Sequence, residues 1–244
     1  MLRGIKHGIS GLFASISGIK KYGLWKHILF TSILSLLVAT FTFYGIWSNS
    51  GFISDWISGF YKWERGSGII SWISDWLVWG IMMVVAFMSY KYIMMILASP
   101  VLSLMSEKIE SYYTQVTPQK FSISHTIKSL GRGLRISLGN ISKELILTLI
   151  LIVLGLIPGV AIVTAPLILV VQAYFAGFGN MDYYMERHFN VKQSRSFVSS
   201  HKGLAIVNGG AYLLLLSIPV IGFILGPTLT SVGASIAVHN SLKK

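Results

Sequence analysis

The sequence predicts an all-α integral membrane protein, and three observations lead to that class. Hydrophobic residues make up 53% of the 244 residues and charged residues only 11%, whereas soluble domains carry about 25% charged residues. Two apolar segments are long enough to cross a bilayer. The formal net charge of +12 comes from Lys and Arg placed between apolar runs, as the positive-inside rule expects and as a nucleic-acid-binding face does not.

Residues 1–27 are predicted to form an amphipathic helix on the membrane surface. Apolar residues recur at helical spacing from Ile5 to Ile19, opposite a polar face. The segment lacks the unbroken apolar stretch of a secretory signal peptide. A mitochondrial presequence is the alternative, since Arg3, Lys6 and several Ser residues fit one.

Residues 28–98 are predicted to hold two transmembrane helices joined by an aromatic interfacial loop. Ile28 to Trp47 has twenty residues and no charge, and Leu77 to Ala98 is interrupted only by Lys91. Lys91 marks either an ion path or a side chain that snorkels to the interface, and the second interpretation is favoured.

Residues 99–143 are predicted to be a cytoplasmic amphipathic segment, broken near Thr117-Pro118. Charged residues are spaced among apolar ones, which is typical of helices lying at a membrane surface. Glu107 and Glu110 are interpreted as part of its solvated face.

Residues 144–244 contain an internal repeat that predicts two re-entrant hairpins. Ile157-Pro158 is followed by Pro166, and Ile218-Pro219 by Pro227, 61 residues later. The first arms, Ile141–Ile157 and Leu204–Ile218, would be ~22–26 Å long as helices, less than the ~30 Å of hydrocarbon. The second arms are expected to start at Pro166 and Pro227. Four ordinary crossings are the alternative topology.

Charge placement predicts that both termini lie in the cytoplasm of a bacterial inner membrane. The sequence around the hairpins is basic, whereas the stretch from Ser48 to Trp76 is not. Both hairpins would then enter from the cytoplasmic side.

Enzymatic function, a cofactor and a metal site are not predicted. The chain has no cysteine, its six His residues lack paired metal-ligand spacing, and it has no nucleotide phosphate loop. Asp182 and Glu186 are interpreted as partners of Arg187 or as helix caps.

The hairpin tips suggest an anion path. Helices beginning at Pro166 and Pro227 would aim positive N-terminal dipoles at the membrane interior, and Gly159 and Gly226 would allow close approach of an anion to the backbone. The alternative is that the tips pack on each other and satisfy their own backbone groups.

Four segments resemble the CysZ sulfate permease family, which is grouped with the eukaryotic etoposide-induced membrane protein. They are "ASPVLSLMSEKIE" (Ala98 to Glu110), "LGLIPGVAIVTAP" (Leu154 to Pro166), "AYFAGFGNMDYYMERHF" (Ala173 to Phe189) and "LLSIPVIGFILGP" (Leu215 to Pro227). The resemblance implies two full transmembrane helices plus two half-penetrating hairpins, in a homo-oligomer. It also implies sulfate transport that feeds cysteine biosynthesis.

The resemblance further implies a sulfate site at a Gly-Leu-Arg motif just before the first span. This sequence has Gly23, Leu24, Trp25 and Lys26 there, so anion binding is expected at Gly23, Leu24 and Lys26. A literal Gly-Leu-Arg at Gly133 to Arg135 is interpreted as coincidence.

Two functions are therefore predicted as alternatives. The first is a membrane channel for sulfate or a related small oxyanion that uses no ATP. The second is a non-transporting membrane scaffold or envelope assembly factor, with partners docking on the basic segment Lys120 to Lys143.

Overall fold

The computed structural model describes residues 2–49, 51, 68–116, 123–157, 159–218 and 220–243, with the backbone alone for residues 2, 68–78, 81 and 125. The described ranges contain helices and no strand, which confirms the all-α class. The helices are α1 (Leu2–Lys21), α2 (Trp25–Ser48), α3 (Gly68–Leu97), α4 (Ser99–Thr114), α5 (Ile123–Gly155), α6 (Ala161–Met185), α7 (Val191–Ser200), α8 (Lys202–Leu216) and α9 (Ile221–Leu242).

Several helices have the length and hydropathy of a membrane span. Within the described residues these are α2, Thr126–Gly155 of α5, α6 and α9. Met82–Leu97 of α3 and the whole of α4 qualify as a pair, with a bend of 61° between them. Pro100 lies in the first turn of α4, where its missing N–H costs no hydrogen bond. A multi-pass membrane protein follows, while the depth of each hairpin stays a prediction.

The chain folds into two compact units, and residues 37–93 form the smaller one. Its helices run antiparallel, because Phe43 contacts Phe87 edge-on at 5.5 Å while Trp47 contacts Trp79 at 6.0 Å between ring centroids. Lys91 does not reach the surface as the favoured snorkelling interpretation required. Its side chain is buried, with Nζ lying 4.5 Å from the centre of the Tyr92 ring.

Residues 1–36 and 94–244 form the larger unit, which is built around α6, α8 and α9. Helices α6 and α8 approach so closely that a Cβ added to Gly209 would lie 1.8 Å from the Ala173 carbonyl oxygen. A buried amide pair adds to this contact, since Asn180 Nδ2 donates to Asn208 Oδ1 at 2.9 Å. One face of α1 packs on α8 and α9.

The predicted helical hairpins are present, but the starts of their second arms were wrong. The first arm is the end of α5, a single helix of 33 residues that begins at Ile123. The second arms begin at Ala161 and Ile221, before Pro166 and Pro227. The helices restart directly after Gly159 and Val220, whose φ angles of +83° and +63° reverse the chain. The two Ile-Pro prolines, Pro158 and Pro219, lie outside the described residues.

Candidate anion-binding site

The turn between α1 and α2, where the sequence predicted an anion site, is a helix C-terminal motif centred on Gly23. The Gly23 N–H donates to the Lys20 carbonyl at 3.3 Å and the Leu24 N–H to the Ile19 carbonyl at 3.0 Å. Gly23 has φ +63°, a left-handed conformation that glycine adopts without strain. Leu24 is fully buried against the end of α1. The turn is therefore fixed by local sequence.

A surface depression of about 500 Å³ lies beside this turn, and we call it the α1–α2 depression. Its lining residues are Lys21, Tyr22, Gly23, Lys108, Ser111, Tyr112, Gln115 and Val116. Two of them are cationic and none is a carboxylate. The Lys21 ammonium lies 4.6 Å from the centre of the Tyr112 ring, which holds it over an aromatic face.

Tyr22 provides a neutral hydroxyl at the depression. Burial raises its pKa above the ordinary value, and the hydrogen bond to Tyr113 acts in the same direction. The two phenol oxygens lie 2.9 Å apart. A phenol that stays protonated adds no negative charge next to the two lysines.

The three residues expected to bind the anion have different positions. Gly23 lines the α1–α2 depression, and Leu24 is buried as an anchor of the turn. Lys26 is an exposed residue in the first turn of α2, outside the lining set. In that turn the backbone N–H groups of His27 and Ile28 both donate to the Leu24 carbonyl at 3.0 Å. Lys108, on α4, is a lining cation that the sequence analysis missed.

The residues expected to form a hairpin-tip path are not alike in their surroundings. Gly159 and Pro166 are exposed, whereas Gly226 and Pro227 are buried. None of the four lines the α1–α2 depression or the two cavities described below.

Backbone groups at the second tip are satisfied locally. Pro227 has no N–H, which frees the Phe223 carbonyl, and Ser35 donates its hydroxyl to that oxygen. The Gly222 N–H is also paired, donating to the Ile218 carbonyl at 2.8 Å. This arrangement favours the packing interpretation of that tip over an anion path.

A group of paired charges, which we call the ion-pair cluster, joins α4, α5 and the end of α6. Arg132 on α5 makes a bidentate contact with Asp182, with Nε and Nη2 at 2.9 and 2.7 Å from the two carboxylate oxygens. Arg187 donates to Glu110 at 2.7 Å, and His188 Nε2 lies 2.7 Å from the other Glu110 oxygen. The carboxylates of Asp182 and Glu110 are 7% and 17% exposed.

Two interpretations of these carboxylates were wrong. Glu110 does not belong to a solvated face, because it accepts from Arg187 inside the cluster. Asp182 pairs with Arg132 and not with Arg187. Glu186 accepts hydrogen bonds from the hydroxyls of Ser103 and Ser129. Burial raises the pKa of Glu186 above its ordinary value, against the opposing effect of the Ser103 hydrogen bond.

Next to the cluster is a cavity of about 850 Å³, which we call the basic cleft. It is lined by Glu107, Lys128, Ser129, Gly131, Arg132, Arg135, Glu186, Arg187, Asn190, Val191 and Lys192. Lys128, Arg135 and Lys192 are exposed, and within the described part of the chain none of these three forms an ion pair. The cleft therefore presents net positive charge. Arg135 belongs to the Gly-Leu-Arg triplet that the sequence analysis interpreted as coincidence.

Comparison with known families identifies the chain. The sequence model of the family described as Sulfate transporter CysZ/Etoposide-induced protein 2.4 matches residues 12–227. The chain belongs to this family. The match covers most of the sequence, so the resemblance drawn from the four segments is confirmed. No curated protein matches the sequence.

Membership of the CysZ/etoposide-induced protein family adds a functional class to the fold. The chain is a multi-pass membrane protein of a sulfate-transporter-type family. Among the residues that the structure describes, no group of three or more His, Asp or Glu is placed to hold a metal ion. Within the described residues, the α1–α2 depression and the basic cleft are two sites whose charge suits an anion.

Proposed function

We propose that this chain conducts sulfate or a related small oxyanion across a bacterial inner membrane, without using nucleotide, and that the anion is held at the α1–α2 depression. One observation carries the proposal: Lys21 and Lys108 line the depression beside the first turn of α2, with no carboxylate among the lining residues. An oxyanion there would meet two ammonium groups.

Each nearby cation has a defined role in the proposed anion site. Lys108 and Lys21 act as point charges, since a lysine lacks the bidentate fork of arginine. Lys26 raises the local positive potential from its exposed position in the first turn of α2. N- and C-termini in the cytoplasm and a homo-oligomeric assembly belong to the same proposal.

Uptake of radiolabelled sulfate into liposomes tests this function. We expect saturable uptake that falls about tenfold in Lys108→Ala and falls less in Lys26→Ala, because a charge-assisted hydrogen bond contributes about 1.5–3 kcal/mol. Lys6→Ala is the matched control, since Lys6 is an exposed lysine of α1 outside the depression. It should transport like the wild type.

Two results would contradict the proposal. An equal loss in Lys6→Ala and Lys108→Ala would mean that the site lies elsewhere. Absence of uptake of sulfate, sulfite, thiosulfate and phosphate, with correct insertion verified, would remove the transport function itself.

The second candidate function is a membrane scaffold, and the basic cleft favours it. Lys128, Arg135 and Lys192 are exposed there and suit an acidic segment of a partner protein. If the liposomes show no flux, capture of a partner that is lost in Arg135→Ala would support the scaffold.

A further inference from the structure

A third cavity, separate from both anion sites, lies where α5, α6 and α7 meet. Its volume is about 350 Å³, and its lining residues are Asn140, Lys143, Tyr174, Phe175, Phe178, Arg195, Ser196 and Ser199. It combines two exposed cations and two hydroxyls with an aromatic wall. No carboxylate is among the lining residues, and Glu144, which follows Lys143, is fully buried.

Asn140 gives the cavity an unsatisfied donor. The residue is only 2% exposed, and its Nδ2 has no hydrogen-bond partner within the described ranges. Leaving a buried amide unpaired is unfavourable, so native structures generally supply a partner. An oxygen of a bound anion in this cavity would be such a partner.

Arg195 lies across the backbone of α5 at the cavity. A Cβ added to Gly139 would be 2.6 Å from Arg195 Nη2, so the guanidinium occupies space that only a glycine leaves open. The guanidinium therefore lies against α5 at the residue before Asn140. An arginine in this position can offer its planar fork of donors to a phosphate.

Along α5, the exposed residues change from charged to aliphatic at the position of the cavity. The exposed residues after Lys143 include Leu145, Ile146 and Leu149. Leu169 and Val170, which precede Tyr174 on α6, are also exposed. Both helices therefore present an acyl-chain surface on one side of the cavity, while Lys143 of α5 and Arg195 of α7 provide cations at the cavity itself. This is the arrangement at a bilayer interface, where basic pockets between helices bind lipid headgroups.

We propose that this cavity binds the headgroup phosphate of an anionic glycerophospholipid. Lys143 and Arg195 contact the phosphate, Asn140 and the Ser196 hydroxyl donate to headgroup oxygens, and the acyl chains lie along the exposed aliphatic faces of α5 and α6. The site is independent of oxyanion transport, so it stands whether or not the chain conducts sulfate.

Native mass spectrometry of the delipidated protein, titrated with phosphatidylglycerol, tests the proposal. We expect one tightly held lipid, whose affinity falls about tenfold in Arg195→Ala and in Lys143→Ala, since each variant removes a charge-assisted contact. Gly139→Ala should also weaken binding, because the new methyl group displaces the guanidinium while the charge and the helix are kept. Lys6→Ala, which removes an exposed lysine of α1 outside this cavity, should bind like the wild type.

Three further binding measurements identify the source of the phosphate. Phosphatidylcholine with the same acyl chains should bind weakly, and neither inorganic phosphate nor sulfate at millimolar concentration should displace phosphatidylglycerol. Equal binding of phosphatidylcholine, or unchanged binding in all three cavity variants, would overturn the proposal. Displacement by inorganic phosphate or sulfate would also overturn it, because the cavity would then hold a free oxyanion.

Discussion

At the residue scale, some charged side chains of this protein are buried in ion pairs and others are exposed to solvent. Arg132 and Asp182 are largely removed from solvent and pair with each other, and the Ser194 hydroxyl and the Phe189 carbonyl accept two further guanidinium N–H groups. Arg135, three residues along the same helix, is exposed. The first pair fixes α5 against α6 and the start of α7, whereas the exposed arginine is available to a ligand.

Removing one partner of the buried pair should be costly. We expect Arg132→Ala to lower the free energy of unfolding by about 3–5 kcal/mol, because Asp182 would remain buried without a counter-charge. Arg135→Ala should change it by less than about 0.5 kcal/mol, as exposed substitutions usually do. Denaturation of the protein in detergent measures both.

A double variant separates the lost pair from other effects. Because Asp182→Ala removes the uncompensated charge, Arg132→Ala combined with Asp182→Ala should be less destabilised than the sum of the single changes. Additive effects, or an Arg132→Ala variant as stable as Arg135→Ala, would show that the pair does not hold these helices together.

Whether a structural feature could be predicted depended on how far apart its residues lie in the sequence. The turn at Gly23 interrupts the helix that was predicted for residues 1–27, although a glycine just after an amphipathic helix is a local sequence signal for such a turn. Asp182 and Arg132 are separated by 50 residues, and no helical periodicity says which arginine faces which carboxylate. The wrong interpretations of Glu110 and Asp182 have this cause, as does the missed lining residue Lys108.

At the element scale, proline and apolar runs predicted the helices well and their ends poorly. The hairpins were found because each Ile-Pro pair interrupts an apolar segment. The starts of the second arms were misplaced because each helix begins before its proline and keeps it in the interior. An interior proline removes a hydrogen bond, so another group has to donate to the carbonyl that it frees. Ser35 does this for α9, a contact between distant parts of the chain that sequence alone does not reveal.

The packing of α6 on α8 gives a test at this scale, with two adjacent glycines as a matched pair. A Cβ on Gly209 would lie 1.8 Å from the Ala173 carbonyl oxygen, whereas a Cβ on Gly210 would have nothing within 4 Å. Gly209→Ala should therefore lower the free energy of unfolding by about 1–3 kcal/mol or more, since the helices must move apart.

Gly210→Ala should have the opposite effect on the free energy of unfolding. It should raise the free energy of unfolding by up to about 1 kcal/mol, because alanine favours the helix over glycine and meets no neighbour. Thermal melting of both variants in the same detergent checks the pair. Equal melting temperatures would mean that α6 and α8 are not in backbone contact.

At the scale of the whole molecule, composition was sufficient to predict the structural class but not the membrane topology. The apolar content and the distribution of Lys and Arg predicted an all-α membrane protein, because they follow from what a bilayer tolerates. Depth is different, since Thr126–Gly155 and α6 are long enough to span while the uncharged apolar part of α5 begins only at Leu145. Leu145 to Gly155 would cover roughly 16 Å as helix, about half of the hydrocarbon thickness. The re-entrant topology is consistent with that shorter apolar length.

Single cysteines would decide the topology, and the native chain has no cysteine to remove. We expect Ile162→Cys and Ile221→Cys, both exposed near the hairpin tips, to resist a membrane-impermeant maleimide added outside intact right-side-out vesicles. Lys202→Cys should react only after the vesicles are opened, and Asn49→Cys should react from outside. Labelling of every variant in denaturant confirms that each thiol is competent. Reaction of Ile162→Cys from outside would show that α5 crosses the membrane completely, and the hairpins would then be ordinary pairs of spans.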